Sequence, residues 1–380
     1  MDVANFSDTI LHNITAIVDV VDTTDNVTQL IATSGGGGND DVATYRLVQR
    51  VCNNIILPWI LFFGLLGNVL SITVLCQRRF HRSEDKIERC AAMGFLFLAV
   101  SDLLFCLVGL PAAFLRQRLV ADTSSSLQVF ELIYLAVKPG LVNLFLFTST
   151  WCTVIIALER YLVVVHPLKA RIFVRLRRTI IYQTSIIIGA VVFSVPHFIK
   201  PTFHVTDFDN STYLTLGTSA AYRLPHFAQA TTMLWNIFGA FVPILVLTFC
   251  YVNLLAAIYR SRRSGMIHLD KYVTSKITTI LVSIMTLYFL LVCPSVFASI
   301  HAEYFSGGGG GGEHSARNYR LLNALVITNL LQAVNFAINF LLYFSMNPKF
   351  RKFFKRPLCR TSSAQRKSEQ RYEVIHMRVK

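Results

Sequence analysis

The sequence predicts an all-α membrane protein: a bundle of seven membrane-spanning helices followed by a short amphipathic helix on the membrane surface. Three observations predict this class. Hydrophobic residues make up 53% of the 380 residues and charged residues only 15%, whereas a soluble domain carries about 25% charged residues. The apolar residues are concentrated in runs long enough to cross a bilayer. The basic residues are concentrated in alternate gaps between these runs.

Seven runs have the length that a transmembrane helix needs, about 20 residues. They extend over Ile55–Leu75, Ala91–Phe114, Leu127–Val165, Thr179–Phe198, Ala228–Ala257, Ile277–Ile300 and Leu321–Phe344. The third and fifth runs are longer than a bilayer requires, so we expect their ends to project from it.

Lysine and arginine are unevenly distributed between the two sides of the spans. The even-numbered gaps hold few, whereas the odd-numbered gaps and the tail after Met346 are rich in them. Because basic loops stay in the cytoplasm, this pattern predicts an amino terminus outside and a carboxyl terminus inside. We expect a multi-pass protein of the plasma membrane. The net charge of +15 then reflects the inner membrane surface rather than nucleic acid. Four glycosylation sequons lie in segments assigned to the outside: Asn5, Asn13, Asn26 and Asn210.

Four regions follow from this pattern. Residues 1–51 lack a periodic apolar face and are predicted to form a disordered, glycosylated extracellular tail. Residues 52–346 form the seven-helix domain. Residues 347–358 alternate phenylalanine with lysine and arginine, which predicts an amphipathic helix on the membrane, and residues 359–380 form a cytoplasmic tail. Cys359 is a candidate for palmitoylation; a plain basic tail is the alternative.

Charged residues inside the spans predict a functional core. Asp102 lies in the middle of the second span, and Glu159 and Arg160 lie near the end of the third. A charge at that depth costs several kcal/mol unless it has a partner or an ion. Arg160 alone could extend to the lipid headgroups, but the adjacent acid and the following Tyr161 favour a buried site.

These residues resemble the motifs of rhodopsin-like (class A) G-protein-coupled receptors. Each match is weak evidence alone, but each falls in the span where that family carries it. The other matches are Asn68 in the first span, Pro243 and Tyr251 in the fifth, Pro294 in the sixth, and Asn339 with Tyr343 in the seventh. Within the family, the N-F-L-L-Y segment and the glycine runs are loosely similar to invertebrate neuropeptide receptors of the FMRFamide kind.

The resemblance implies a receptor that passes an extracellular ligand signal to a heterotrimeric G protein, with arrestin as a further candidate partner. It implies coupling roles for Glu159, Arg160, Tyr161, Tyr251 and Tyr343. It also implies a pocket for an allosteric sodium ion, formed by Asp102, Ser149, Asn335 and Asn339. No other cofactor or metal is expected. The sequence contains no nucleophile elbow, metal-ligand spacing or phosphate-binding loop, so none of these motifs indicates an enzyme.

The chain also departs from the family pattern. Leu135 stands where the family has its third-helix cysteine, and the second extracellular loop has no cysteine. No disulfide is therefore expected there, and we expect the loop to order only on ligand binding. Val292 replaces a tryptophan of the sixth span, and the fourth span lacks its central tryptophan. Phe340 replaces the proline of the seventh span, which should remove a helix kink. These losses leave open a non-signalling seven-helix protein, such as a scavenger or partner subunit.

The ligand class is narrowed by two positions. Amine receptors of this family carry an aspartate where this chain has Val142, and opsins carry a lysine where it has Ala333. A peptide, expected to be positively charged, is the remaining interpretation. The candidate contacts are Glu131, Trp235, His301 and Glu303, with Asp207 and Asp209 adding negative charge at the rim. The alternative is that these acids are simply solvated loop residues.

Overall fold

The structure is a computed structural model that describes residues 38–77, 86–115, 119–208, 211–264, 276–305, 312–346 and 351. Within these residues, seven helical spans are long and apolar enough to cross a membrane, which confirms the predicted fold class. Numbered 1 to 7, they are Ala43–Leu75, Lys86–Ala113, Ser126–Val165, Leu176–Ile199, His226–Arg260, Ile277–His301 and Tyr319–Met346. Of the expected surface helix over 347–358, only Arg351 is described.

The first four spans are built from five α-helices, and a sixth connects two of them. Span 1 consists of α1 (Gly38–Gln49), a π-helical segment (Arg50–Ile56) and α2 (Leu57–Leu75). Span 2 is α3 (Lys86–Gly109) with a 3₁₀ turn (Leu110–Ala113). Spans 3 and 4 are α4 (Ser126–Val165) and α6 (Leu176–Ile199), which are connected by the short helix α5 (Pro167–Phe173). At 40 residues, α4 is about 60 Å long, so it projects from a bilayer as predicted.

Spans 5 and 6 are interrupted, whereas span 7 is not. After the turn helix α7 (Ala220–Arg223), span 5 contains α8 (Pro225–Trp235), a π-helical segment (Asn236–Phe241) and α9 (Val242–Ser264). Span 6 is divided into α10 (Lys276–Leu291) and α11 (Cys293–Phe305), whereas span 7 is the continuous helix α12 (Gly312–Met346).

Proline explains where these helices change geometry. Each π-helical segment ends two residues before a proline, Pro58 in span 1 and Pro243 in span 5. A proline has no N–H and its ring clashes with the carbonyl four residues earlier, so a wider turn relieves the conflict. In span 5 the Phe238 carbonyl accepts a hydrogen bond of 3.0 Å from Trp151 Nε1 of span 3. Pro294 likewise divides span 6. Span 7, with Phe340 at the proline position, is unbroken, as the sequence predicts.

Span 1 is held against span 7 by close backbone approach and one polar contact. A Cβ added to Gly67 would lie 2.9 Å from the Cβ of Phe340, so a larger residue at position 67 would push the two helices apart. The next residue, buried Asn68, donates a hydrogen bond of 3.0 Å to the carbonyl of Phe336, one turn before Phe340. The asparagine therefore has the interhelical role that small and amide residues serve inside membranes.

The loops at one end of the bundle form a three-stranded antiparallel sheet. Strand β1 (Val120–Asp122) comes from the segment between spans 2 and 3, and β2 (Pro201–Phe208) and β3 (Ser211–Thr218) come from that between spans 4 and 5. The order is β1-β3-β2, so β3 pairs on both sides. We call this the sheet end of the bundle. The loop expected to order only on ligand binding is a β-hairpin that main-chain pairing to β1 restrains.

The amino-terminal boundary also differs from the expectation. Helix α1 begins at Gly38, inside the segment predicted to be a disordered tail. The Tyr45 ring packs against that of Tyr319 at the start of span 7, with a centroid distance of 5.9 Å. This contact joins the helix to a segment far away in the sequence and stabilises it. The composition of the first 51 residues alone could not reveal such a contact.

Because main-chain pairing holds these loops together, we expect the fold to tolerate reducing agents. All seven described cysteines are free, so dithiothreitol should leave the melting temperature of the purified protein unchanged. Leu214→Pro should lower it, because Leu214 pairs with Ala121 in β1 and with Val205 in β2 and proline removes a ladder N–H. The free energy of unfolding should fall by about 1–3 kcal/mol, because the carbonyl that accepted this N–H is left without a donor. Leu214→Val is the matched control. A large drop with dithiothreitol alone would contradict this account.

Candidate functional site

A cavity of about 460 Å³ lies in the half of the bundle nearer the sheet end. Residues from spans 1, 2, 3, 5, 6 and 7 line it. Among the predicted ligand contacts, Trp235 lines the cavity. Glu131 is buried within the protein at 6% exposure and His301 is exposed; neither is in the described lining. The side chain of Glu303 and all of Asp209 lie outside the description, while Asp207 is exposed on β2.

One face of span 3 forms a wall of this cavity. Lys138, Val142, Leu146 and Thr150 all line it, and they are spaced four residues apart, as neighbours on one helix face are. From Lys138 to Thr150 this face extends about 18 Å along the helix axis. The cavity therefore reaches from the region below the sheet to the middle of the bundle.

The cavity contains both positions that were used to exclude ligand classes. Val142 and Ala333 are among its lining residues. An aspartate at position 142 or a lysine at position 333 would therefore face a ligand in the cavity. Their apolar side chains offer neither an ion pair to an amine nor a Schiff base to retinal. The exclusion thus concerns residues that do face the cavity.

Polar contacts cross-link the helices at the lower part of the cavity. Thr150 of span 3 and the buried Tyr288 of span 6 both line this part of the cavity. Ser295 of span 6 donates a hydrogen bond of 2.8 Å to Asn329 Oδ1 of span 7. These residues line the cavity together with Val292, one of the positions at which the sequence departs from the family. A ligand in the cavity would contact the residues that connect span 6 to its neighbours.

A second polar cluster surrounds Asp102, which is fully buried in span 2. Ser149 Oγ of span 3 donates a hydrogen bond of 2.6 Å to Asp102 Oδ1. Asn339 Nδ2 of span 7 donates one of 2.6 Å to Asp102 Oδ2. Three of the four residues predicted for a sodium pocket are thus in direct contact. Asn335 is half-buried one turn away and is not among the donors to Asp102.

The candidate coupling residues lie at the end of the bundle opposite the sheet. Arg160 is buried, with 1% of its surface exposed, and its charge interacts with Glu159. Glu159 Oε1 also accepts a hydrogen bond of 2.5 Å from Thr179 Oγ1 of span 4. Tyr161 hydrogen-bonds His166 Nε2 at 3.2 Å. The Arg160 side chain therefore lies inside the bundle, not at the headgroups.

Two tyrosines flank this site from other spans. The hydroxyl of Tyr251 in span 5 hydrogen-bonds that of Thr286 in span 6 at 3.1 Å. The ring of Tyr343 in span 7 is buried and lies 5.2 Å from the Phe95 ring of span 2. The coupling candidates thus contact spans 2, 4 and 6, the helices around span 3.

Sequence reasoning missed several of these partners. Thr179 and Thr286 are single hydroxyl residues in apolar spans and have no motif. Lys138 is a stronger signal that was overlooked, because a lysine inside a predicted span needs an explanation. The predicted modification sites Asn5, Asn13, Asn26, Asn210 and Cys359 lie outside the described residues.

Seven spans, a cavity near one end and a buried acid–arginine pair near the other define a receptor of the seven-helix class. Residues 67–363 match the family of 7 transmembrane receptors (rhodopsin family). The chain belongs to this family of G-protein-coupled receptors, and it is a multi-pass membrane protein and not an enzyme.

Two relatives show the range of similarity. The chain is 26% identical over 233 residues to the galanin-like G-protein coupled receptor npr-9 of Caenorhabditis elegans, which covers 60% of this chain and 50% of that protein. It is 25% identical over 302 residues to human C-C chemokine receptor type 1, covering 77% of this chain and 75% of the relative. The chain thus spans about half the length of the first relative.

Proposed function

We propose that the protein is a receptor for an extracellular peptide, of the neuropeptide kind, and that it activates a heterotrimeric G protein through a rearrangement around Arg160. The proposal rests on one observation: span 3 extends from the cavity to Arg160 as a single helix. The same helix lines the cavity as far as Thr150 and carries Arg160 ten residues further on, a distance of about 15 Å. A ligand and a G protein would thus bind to opposite parts of one helix.

The mechanism is a shift between two populations of the bundle. Span 6 is divided at Val292, next to the cavity, by Pro294. An agonist that favours a different position of span 6 would move Thr286 away from Tyr251 and open the end around Arg160. Tyr251 and Tyr343 would then support the open state. The exposed surface would bind the G protein, and arrestin is a candidate for the same surface.

A peptide is supported by exclusion, by the cavity and by one relative. The amine and retinal anchors are replaced by Val142 and Ala333 in the cavity wall. A cavity of about 460 Å³ is large enough for a few side chains of a peptide. Trp235 offers an aromatic contact within it, and Glu131, His301 and Glu303 stay candidates for contacts above it. The relative named as galanin-like is consistent with a neuropeptide.

The proposed orientation has the sheet end outside the cell and predicts glycans on that side. Treatment of the expressed protein with an N-glycosidase should lower its apparent mass. Replacing Asn5, Asn13, Asn26 and Asn210 together with glutamine should abolish this shift, because glutamine keeps the amide but not the sequon. Persistence of the shift in the quadruple variant would contradict the assignment.

A second candidate function is a non-signalling receptor, such as a scavenger or partner subunit. It is favoured by Val292, which lines the cavity where the family has tryptophan. Screening a neuropeptide library for G-protein activation in cells that express the chain separates the two functions and identifies the ligand. Activation above vector-only cells is the result we expect. Uptake of peptide without activation by any G-protein class would favour the scavenger.

A further inference from the structure

We propose that the cavity binds a carboxylate of the ligand and that Lys138 forms the ion pair with it. This inference rests on the proposed function, since it names the chemical group of a peptide that enters the cavity. It reverses the charge expected there from the sequence, where acids at the rim predict a cationic ligand. A peptide can satisfy both features if its basic part stays at the rim and its acidic group enters the cavity.

The charge balance of the cavity is the first argument. Lys138 is the only ionisable residue besides Tyr288 in the described lining, and no aspartate or glutamate accompanies it. No described carboxylate interacts with it electrostatically. Burying an ammonium without a counter-charge is costly, so an anion that enters this cavity would relieve a cost that the empty protein bears.

The position of Lys138 is the second argument. Its side chain is half-buried and lines the cavity on the same helix face as Val142 and Leu146. A lysine that only extended to the headgroups would lie on a lipid-facing surface. Instead Lys138 lines the cavity, about three helical turns before Thr150 on the same face of span 3.

The remaining polar groups of the cavity suit a carboxylate of a peptide. Amide side chains from four spans line it, and these can donate to carboxylate oxygens and pair with peptide groups without adding charge. They are Asn53, Asn54, Asn143, Asn236, Asn329 and Gln332. Charge-assisted hydrogen bonds from an ammonium to a carboxylate are about twice as strong as neutral ones, so Lys138 should dominate the preference.

The test uses small probes on the purified protein, so it requires neither the natural ligand nor a G protein. Pools of N-acetylated dipeptides are prepared as free acids, as C-terminal amides, and as amides that contain one glutamate side chain. The thermal stability of detergent-purified protein is titrated with each pool, since a ligand that binds the folded state raises it. The acid pools should reach half-maximal stabilisation at about tenfold lower concentration than the neutral amides. The two acid pools distinguish a terminal from a side-chain carboxylate.

Three variants identify the residue responsible. Lys138→Met keeps an unbranched side chain but removes its charge, so this variant should lose the preference for acids. Lys138→Arg keeps the charge and should keep the preference. Lys200→Met removes an exposed lysine that is not in the described lining and should behave as wild type. Equal or absent stabilisation of the wild type by acids and amides, or an unchanged preference in Lys138→Met, would overturn the proposal. If acids are preferred but no peptide activates a G protein, the carboxylate site stands and the signalling function fails.

Discussion

Arg160→Ala should abolish G-protein activation, both basal and agonist-driven, while the protein still reaches the cell surface. The side chain is 1% exposed and interacts with Glu159, so the variant removes a buried charge around which, in the proposed mechanism, this end of the bundle opens. Loss of one partner from a buried charge pair costs about 2–5 kcal/mol, which corresponds to a loss of about thirtyfold or more. Surface expression by antibody labelling and G-protein activation are measured on the same cells.

Two variants separate this effect from a general loss of stability. Arg50→Ala removes an exposed arginine in span 1 and should signal normally. Arg160→Lys keeps the charge but loses the planar set of donors, so it should signal weakly. Full activation by Arg160→Ala at normal expression would show that the resemblance at Glu159-Arg160-Tyr161 does not extend to function.

Asp102→Asn should make agonist affinity insensitive to sodium. We propose that Na⁺ binds at the carboxylate that Ser149 and Asn339 contact at 2.6 Å, since a buried carboxylate between spans 2, 3 and 7 favours an ion. The ion would stabilise the resting arrangement of these three helices. Sodium should therefore weaken agonist binding to the wild type, by about tenfold if the coupling is near 1.4 kcal/mol.

The measurement compares agonist competition curves in sodium chloride and in N-methylglucamine chloride at equal ionic strength. Asp122→Asn is the matched control. Asp122 lies in β1, and hydrogen bonds from Ser124 lower the pKa of its carboxyl group, so it is a charged aspartate that lies away from the proposed ion site. This variant should keep the sodium effect. Equal insensitivity of wild type and Asp102→Asn would rule out the ion site.

The features predicted from the sequence are those with a local signal. Long apolar runs identify all seven spans, and the missing proline at Phe340 predicts an unkinked span 7. Asp102 stands out because a charge is rare in an apolar run. The contact of Asp102 with Ser149 and Asn339 was expected from the family resemblance, since nothing in the spacing brings these residues together.

The features that the sequence did not reveal depend on tertiary contacts. The pairing of β1 with β3 joins two loops about ninety residues apart, and only the arrangement of spans 2 to 5 brings them together. The absence of cysteine suggested an unrestrained loop, because main-chain pairing leaves no residue signature. The sequence also did not show which face of span 3 lines the cavity, because that helix is apolar on most sides. Pro58 and Pro243 follow the two π-helical segments, but Pro139 and Pro196 lie inside continuous helices, so a proline alone does not reveal such a segment.

The measurement that most directly tests the receptor account is the effect of a G protein on agonist affinity. Coupling between two sites is reciprocal, so an agonist that exposes the Arg160 end must bind more tightly when a nucleotide-free G protein occupies that end. With an agonist from the peptide screen, membranes containing G protein should show a high-affinity component that a non-hydrolysable GTP analogue removes and that Arg160→Ala lacks. Agonist affinity that is the same with and without G protein, in wild type and variant alike, would contradict the account.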